Sequence, residues 1–85
     1  MEDYYSDYDG KTILVTGGAG AIGGNLCRKL SEINAKKVII LDDLSSSYEW
    51  NIPKAKNIMF IQGSILDDEM LKRAFKEKPE YVFHL

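Results

Sequence analysis

The sequence predicts an α/β fold built on a parallel sheet, and three observations support this. Four apolar runs have the length of strands, at residues 12–15, 38–41, 58–61 and 81–85. The first two consist of β-branched or aliphatic residues with no polar alternation, as expected for strands that are covered on both faces. One amphipathic stretch lies between the first and second runs and another between the third and fourth. A glycine-rich segment follows the first run. This alternation of strand and helix predicts crossover connections between parallel strands.

The first strand, Thr12–Val15, leads into five closely spaced glycines, Gly17, Gly18, Gly20, Gly23 and Gly24. A helix is predicted from Ala21 to Ile33, with an apolar stripe formed by Ile22, Leu26, Leu30 and Ile33. This order places free backbone N–H groups and a helix N-terminus at the carboxyl end of a strand, where both favour an anion. A Cβ would block close approach of a pyrophosphate, and at Gly23 would hold the helix off the strand. The segment therefore predicts a diphosphate-binding turn.

The second strand, Val38–Leu41, ends on two acids, Asp42 and Asp43. An acid at this place, about 20 residues past the glycines, is where dinucleotide-binding folds hold the adenosine ribose. A carboxylate accepts hydroxyl hydrogen bonds and repels a 2′-phosphate, and no arginine lies near in the sequence. The pattern predicts NAD rather than NADP, the alternative being an acid merely solvated at a strand end.

The remaining elements complete the predicted order. A polar connection runs from Leu44 to Asn57, followed by a third strand at Ile58–Ile61. Asp67 is the predicted N-cap of a second helix that stops before Pro79. The buried stripe of this helix is predicted to be Met70, Leu71, Ala74 and Phe75. With a fourth strand at Tyr81–Leu85 and right-handed crossovers, the strand order is predicted to be 3-2-1-4, the N-terminal part of a doubly wound Rossmann fold.

Length and composition bound the possibilities. The 85 residues allow one small domain, and the net charge of −2 does not suggest a nucleic-acid partner. Residues 1–10 are acidic and without periodicity, so we expect a flexible tail followed by a partial nucleotide-binding domain at 11–85. No run approaches the roughly 20 apolar residues of a membrane span, and the single cysteine forms no metal-binding cluster. We therefore expect a cytoplasmic protein without a membrane or metal partner.

Two glycine spacings coexist in the turn. Gly18, Gly20 and Gly23 satisfy the general dinucleotide pattern G-x-G-x-x-G, whereas Thr16, Gly17, Gly20 and Gly23 satisfy T-G-x-x-G-x-x-G. The second pattern resembles the short-chain dehydrogenase/reductase superfamily, and T-G-G-A-G-x-I-G resembles its extended branch. The segment D-D-L-S-S-S at residues 42–47 is similar to D-N-L-S-S-G of the NAD-dependent nucleotide-sugar epimerases and dehydratases, of the UDP-glucose 4-epimerase type.

The resemblance implies a set of NAD-binding residues. The turn would hold the diphosphate, the segment after the second strand would wrap the adenosine, and the residues after the third strand would contact adenine. Ser64 stands where the family has an acid in G-D-I, so its contact with the adenine amino group is expected to be weaker. The implied residues are Gly17, Gly20, Ala21, Ile22, Gly23, Asp42, Asp43, Leu44, Ser45, Ser46, Ser47, Ser64, Ile65 and Leu85.

The resemblance also implies where catalysis would reside. The family uses a Tyr-x-x-x-Lys pair to move a proton at the sugar while C4 is oxidised by hydride transfer to NAD. None of the tyrosines, Tyr4, Tyr5, Tyr8, Tyr48 and Tyr81, is followed by lysine four residues on. We therefore expect no catalytic residue here, and interpret the chain as an N-terminal fragment of such an enzyme.

The alternatives are a non-catalytic dinucleotide-binding domain and a fragment of another Rossmann oxidoreductase that uses Gly18 and Gly20. The expected partners are NAD, a nucleotide sugar in the full-length parent, and a second copy of the chain through the exposed fourth strand.

Overall fold

The computed structural model describes residues 6–85 as a single parallel sheet with a helix on each face. In chain order the elements are a 3-10 turn (Ser6–Tyr8), β1 (Thr12–Thr16), α1 (Ala21–Glu32), β2 (Lys37–Asp42), a second 3-10 turn (Glu49–Asn51), β3 (Ile58–Gln62), α2 (Asp68–Lys76) and β4 (Tyr81–His84). The strands lie in the order β3-β2-β1-β4 and all pairs are parallel. The predicted fold class and strand order are confirmed.

The core consists of two apolar layers separated by the sheet. Successive side chains of a strand point to opposite faces, so consecutive residues of β1 and β2 belong to different layers. The layer under α1 contains Ile13, Val15, Cys27, Leu30, Ala35, Val38 and Ile40. The layer under α2 contains Leu14, Ile39, Leu41, Ile61 and Ala74. The central strands are therefore buried on both faces, as their unbroken apolar sequences predicted.

The helix ends follow the sequence signals closely. The side chain of Asp67 accepts hydrogen bonds from the N–H groups of Glu69 (3.0 Å) and Met70 (3.4 Å), which makes it the N-cap of α2. α1 ends at Glu32, one residue before the predicted end, and Asn34 follows in the left-handed region with a φ of 67°. Asparagine tolerates this conformation better than most residues, so the chain turns there.

Two predicted stripe residues lie outside the core. The side chain of Ile22 is 78% exposed and that of Phe75 is 51% exposed. Ile22 lies in the first turn of α1, where it borders the cavity at the carboxyl edge of the sheet. Phe75 is rotated by about 100° from the buried Ala74 around α2, which turns its ring away from the sheet. The predictions of burial for these two residues are wrong.

The predicted tail is only partly described, because residues 1–5, including Tyr4 and Tyr5, lie outside the described residues. The ring of Tyr8 packs edge-on against Tyr81 and Phe83 of β4, with centroid distances of 4.9 and 5.8 Å. The described part of this segment therefore contacts the sheet. The domain boundary at residue 10 stays a prediction. Neither α-helix in residues 6–85 is long and apolar enough to cross a membrane.

Cys27 lies fully buried between α1 and the sheet. Burial disfavours the thiolate and raises the pKa of Cys27 from 9.0 to about 12. Between these two values the folded chain retains a proton that the unfolded chain has lost. The free energy of unfolding therefore contains a contribution that is complete below pH 9 and is lost progressively as the pH rises.

We expect the stability of the wild-type chain to fall more steeply above pH 9 than that of Cys27→Ala, which has no thiol to titrate. The difference between the two slopes is expected to approach about 1.4 kcal/mol per pH unit, which is the value for one proton. Urea unfolding followed by circular dichroism between about pH 8 and pH 11 measures both slopes. The other titratable groups are the same in both proteins, so parallel pH profiles would contradict the prediction.

Candidate functional site

A cavity of about 520 Å³ lies at the carboxyl edge of the sheet, where all four strands end. It is bordered by the glycine turn after β1 and by the segments that follow β2, β3 and β4. Of the predicted cofactor-binding residues it brings together Gly17, Gly20, Ala21, Ile22, Gly23, Asp42, Asp43, Ser46, Ser47, Ser64, Ile65 and Leu85. Residues far apart in sequence thus meet in one place because the strands are parallel.

Leu44 and Ser45 do not line this cavity. The N–H of Leu44 donates to Asp42 Oδ1 (2.8 Å), and the N–H of Ser45 donates to Asp43 Oδ1 (2.9 Å). The backbone N–H groups of both residues therefore hold the two carboxylates in place. Their predicted contact with a cofactor stays a prediction, whereas their contact with the acids is visible in the structure.

The glycine turn is shaped by close approaches that leave no room for side chains. Gly17 has a φ of 75°, and a Cβ on it would lie 2.9 Å from the carbonyl oxygen of Leu85. A Cβ on Gly23 would overlap the carbonyl oxygen of Gly17 and press against Gly18. Glycine at Gly17 and Gly23 therefore lets α1 begin directly against the end of β1.

The first turn of α1 presents unpaired donors to the cavity. The N-cap residue is Gly20, which has no side chain to accept a hydrogen bond, and the first N–H of the helix to find a partner is that of Gly24, bound to the carbonyl of Gly20 at 2.7 Å. Within residues 6–85, the N–H groups of Ala21, Ile22 and Gly23 make no hydrogen bond. These donors lie at the positive end of the helix dipole, and together they favour an anion.

Asp42 connects the two halves of the site. Its side chain is almost fully buried, and its Oδ2 accepts a hydrogen bond of 3.0 Å from the N–H of Ala19 in the glycine turn. With the bond from Leu44, each oxygen accepts one backbone hydrogen and retains a lone pair for a ligand hydroxyl. Asp43 is exposed, and the hydrogen bonds from the backbone and hydroxyl of Ser45 lower its pKa. This wall therefore carries negative charge, and no arginine or lysine borders the cavity among the described residues.

Ser64 lies at the end of β3. Its Oγ accepts a hydrogen bond of 3.0 Å from the N–H of Leu66, so the hydroxyl hydrogen remains available to a ligand. Ile65 follows it with 42% of its surface exposed on the cavity wall. A flat apolar group could therefore pack on Ile65 while a polar edge meets Ser64.

Four residues of the cavity wall were not predicted, Thr16, Leu41, Gly63 and His84. Thr16 and His84 are register partners at the ends of β1 and β4, and Thr16 Oγ1 lies 2.6 Å from His84 Nδ1. The signal that could have found them is positional, because the last residues of adjacent parallel strands lie at the same edge of a sheet. Both residues border the cavity at the ends of these two strands.

Comparison with known proteins connects this geometry to a family. The model of the NAD dependent epimerase/dehydratase family matches residues 13–85. A curated dTDP-D-glucose 4,6-dehydratase of Dictyostelium discoideum is 42% identical over 79 residues, which are 86% of this chain and 18% of that protein.

Solved structures agree with this result. Epimerase Mth375 of Methanothermobacter thermautotrophicus has 64% identity and a TM-score of 0.91, over 95% of this chain and 24% of that protein. Bordetella bronchiseptica WbmF, solved with NAD+, has 35% identity and a TM-score of 0.86, over 94% of this chain and 24% of that protein. The chain therefore spans about a quarter or less of the length of these relatives.

We expect Asp42→Ala to lower the free energy of unfolding by about 2 kcal/mol, because the buried N–H of Ala19 loses its partner. The matched variant Asp43→Ala removes an exposed carboxylate and is expected to change stability by less than about 0.5 kcal/mol. Urea unfolding of the three proteins at neutral pH measures both values. An equal loss in the two variants would show that the bond between Asp42 and Ala19 does not stabilise the turn.

Proposed function

Because this chain belongs to the NAD-dependent epimerase/dehydratase family, we propose that its cavity binds the adenosine diphosphate part of NAD. The observation that carries the proposal is the juxtaposition of three unpaired N–H groups at the start of α1 with the carboxylate of Asp42. The unpaired N–H groups can bind a diphosphate, and the carboxylate can accept hydrogen bonds from a ribose diol. The spacing of the two groups along the chain is that of a dinucleotide-binding fold.

The residues of the cavity fit NAD part by part. The diphosphate would lie on the N–H groups of Ala21, Ile22 and Gly23 at the N-terminus of α1. Asp42 would accept the ribose hydroxyls through its free lone pairs. Adenine would pack on Ile65. When bound, the nicotinamide supplies hydride transfer, and the residues of this chain bind and orient the cofactor.

The longer protein is proposed to act on a nucleotide sugar. The family description joins epimerases and dehydratases, and the relatives compared above include one named for each reaction. Both reactions begin, in this proposal, with oxidation of the sugar at C4. The Tyr-x-x-x-Lys pair that would move the proton does not occur in these 85 residues, so we expect no turnover by this chain alone. Its location in the cytoplasm stays a prediction from the sequence.

We expect calorimetric titration to show binding of NAD and a preference over NADP of about tenfold or more, since a carboxylate about 4 Å from a 2′-phosphate costs about 1 to 4 kcal/mol. Asp42→Asn removes the negative charge and retains one accepting oxygen, so the ratio of the affinities for NAD and NADP should become smaller. Asp68→Asn, the same change on exposed α2, is the matched control. Equal affinity of the wild-type chain for NAD and NADP, or no binding of NAD, would contradict the proposed cofactor.

We also propose that the chain self-associates through β4. This strand pairs with β1 alone among the described residues, and Tyr81, Val82 and Leu85 are 37%, 50% and 53% exposed. An apolar strand with an open edge can pair with another chain, and a charged side chain on such an edge opposes this.

Sedimentation velocity is expected to show a mass that rises with concentration for the wild-type chain and a monomer for Val82→Lys. The control Leu66→Lys places the same charge on a residue that is 88% exposed after β3 and is expected to leave the association unchanged. A wild-type chain that remains monomeric at high concentration would show that the open edge of β4 does not recruit a second copy.

A further inference from the structure

The peptide groups of Ala19 are fully engaged by the segment that follows β2. Ala19 is buried, and its N–H donates to Asp42 Oδ2 at 3.0 Å. Its carbonyl accepts two hydrogen bonds, from Asn51 Nδ2 at 2.8 Å and from the N–H of Tyr48 at 3.4 Å. Ala19 is the residue of the glycine turn that precedes the N-cap Gly20, so these bonds fix the turn immediately before its free donors begin.

Gly24 provides an independent observation on the same contact. It does not line the cavity, and glycine inside a helix is unfavourable relative to alanine. A Cβ on Gly24 would lie 2.5 Å from the carbonyl oxygen of Asn51 and 3.2 Å from the Asn51 Cβ. The missing side chain therefore leaves a notch in α1, and the 3-10 turn Glu49–Asn51 occupies it.

We propose that Asn51 is a positioning residue for the diphosphate site. The segment Tyr48–Asn51, hereafter the clasp, is anchored in the Gly24 notch and holds the carbonyl of Ala19 from the outer side of the turn. Asp42 holds the N–H of the same residue from the sheet side. With both groups fixed, the donors of Ala21, Ile22 and Gly23 keep one orientation and lose little freedom when an anion binds. The inference rests on the proposed function, since it concerns the diphosphate of that ligand.

The clasp contains a fluorescent side chain that can report on its docking. Trp50 is the single tryptophan of the sequence, and its ring stacks on Tyr48 with centroids 4.3 Å apart and planes 7° apart. The indole is 75% exposed, so a soluble quencher reaches it readily. If the clasp favours diphosphate binding by some factor, thermodynamic linkage requires that a bound diphosphate favours the docked clasp by the same factor. Quenching of Trp50 should therefore change with ADP and not with adenosine.

The test compares ADP and adenosine as ligands of the wild-type chain, Asn51→Ala and the control Asn25→Ala. Asn25 is exposed on α1, one residue after Gly24, and its Oδ1 accepts a hydrogen bond of 3.0 Å from Arg28 Nη1. Calorimetry is expected to show about tenfold weaker ADP binding by Asn51→Ala, with adenosine affinity within about twofold of wild type. Asn25→Ala should match the wild-type chain for both ligands. An equal loss of affinity for ADP and for adenosine would mean that Asn51 only supports the fold, and would overturn the inference.

Amide hydrogen exchange without ligand decides whether the clasp exists, apart from any binding. The Ala19 amide should exchange about tenfold faster in Asn51→Ala, whereas the amides of β1 keep their wild-type rates. Gly24→Ala, which fills the notch and keeps Asn51, is expected to reproduce both effects and serves if Asn51→Ala unfolds. Unchanged exchange at Ala19 in these variants would overturn the inference. A wild-type chain that binds neither ADP nor NAD would instead contradict the proposed function, with the exchange rates still deciding the clasp.

Discussion

The site depends on one close approach, that of the start of α1 to the end of β1. Gly23 lies against the carbonyl of Gly17, and Gly17 lies against the end of β4, so neither position has room for a Cβ. Because α1 begins this close to the sheet, its first three N–H groups open into the space between the strand ends. A larger residue at Gly23 would move the helix outward and carry the donors away from Asp42. Backbone packing thus determines where the donors point.

Charge is distributed unevenly over the cavity, and this unevenness is informative. The helix end offers partial positive charge without a cationic side chain, whereas the wall after β2 carries the carboxylates of Asp42 and Asp43. An anion is therefore favoured at one end of the cavity and repelled at the other. A ligand with a diphosphate in its middle and neutral hydroxyls on its sugar matches this distribution. The family relationship and the geometry lead to the same cofactor.

Much of this architecture could be predicted from the sequence, because its signals are local. Apolar runs, the glycine spacing and the N-cap Asp67 each depend on neighbouring residues, and chirality then leaves few strand orders. What could not be predicted depends on contacts between distant segments. The exposure of Ile22 and Phe75 depends on which part of each helix the sheet covers, which periodicity does not report. The bond between Asp42 and Ala19 joins residues 23 positions apart, and nothing in the sequence shows that this acid holds the glycine turn.

The position of the cavity at the strand ends has a consequence for how the members of this family diversify. In the proposed mode of binding, the groups that contact the adenosine diphosphate lie in the glycine turn and at the ends of β2 and β3, and they would contact neither the nicotinamide nor the sugar. Recognition of the cofactor and choice of reaction are therefore separable heritable traits. A binding site of this kind could be inherited unchanged by members of the family that differ in the reaction they catalyse.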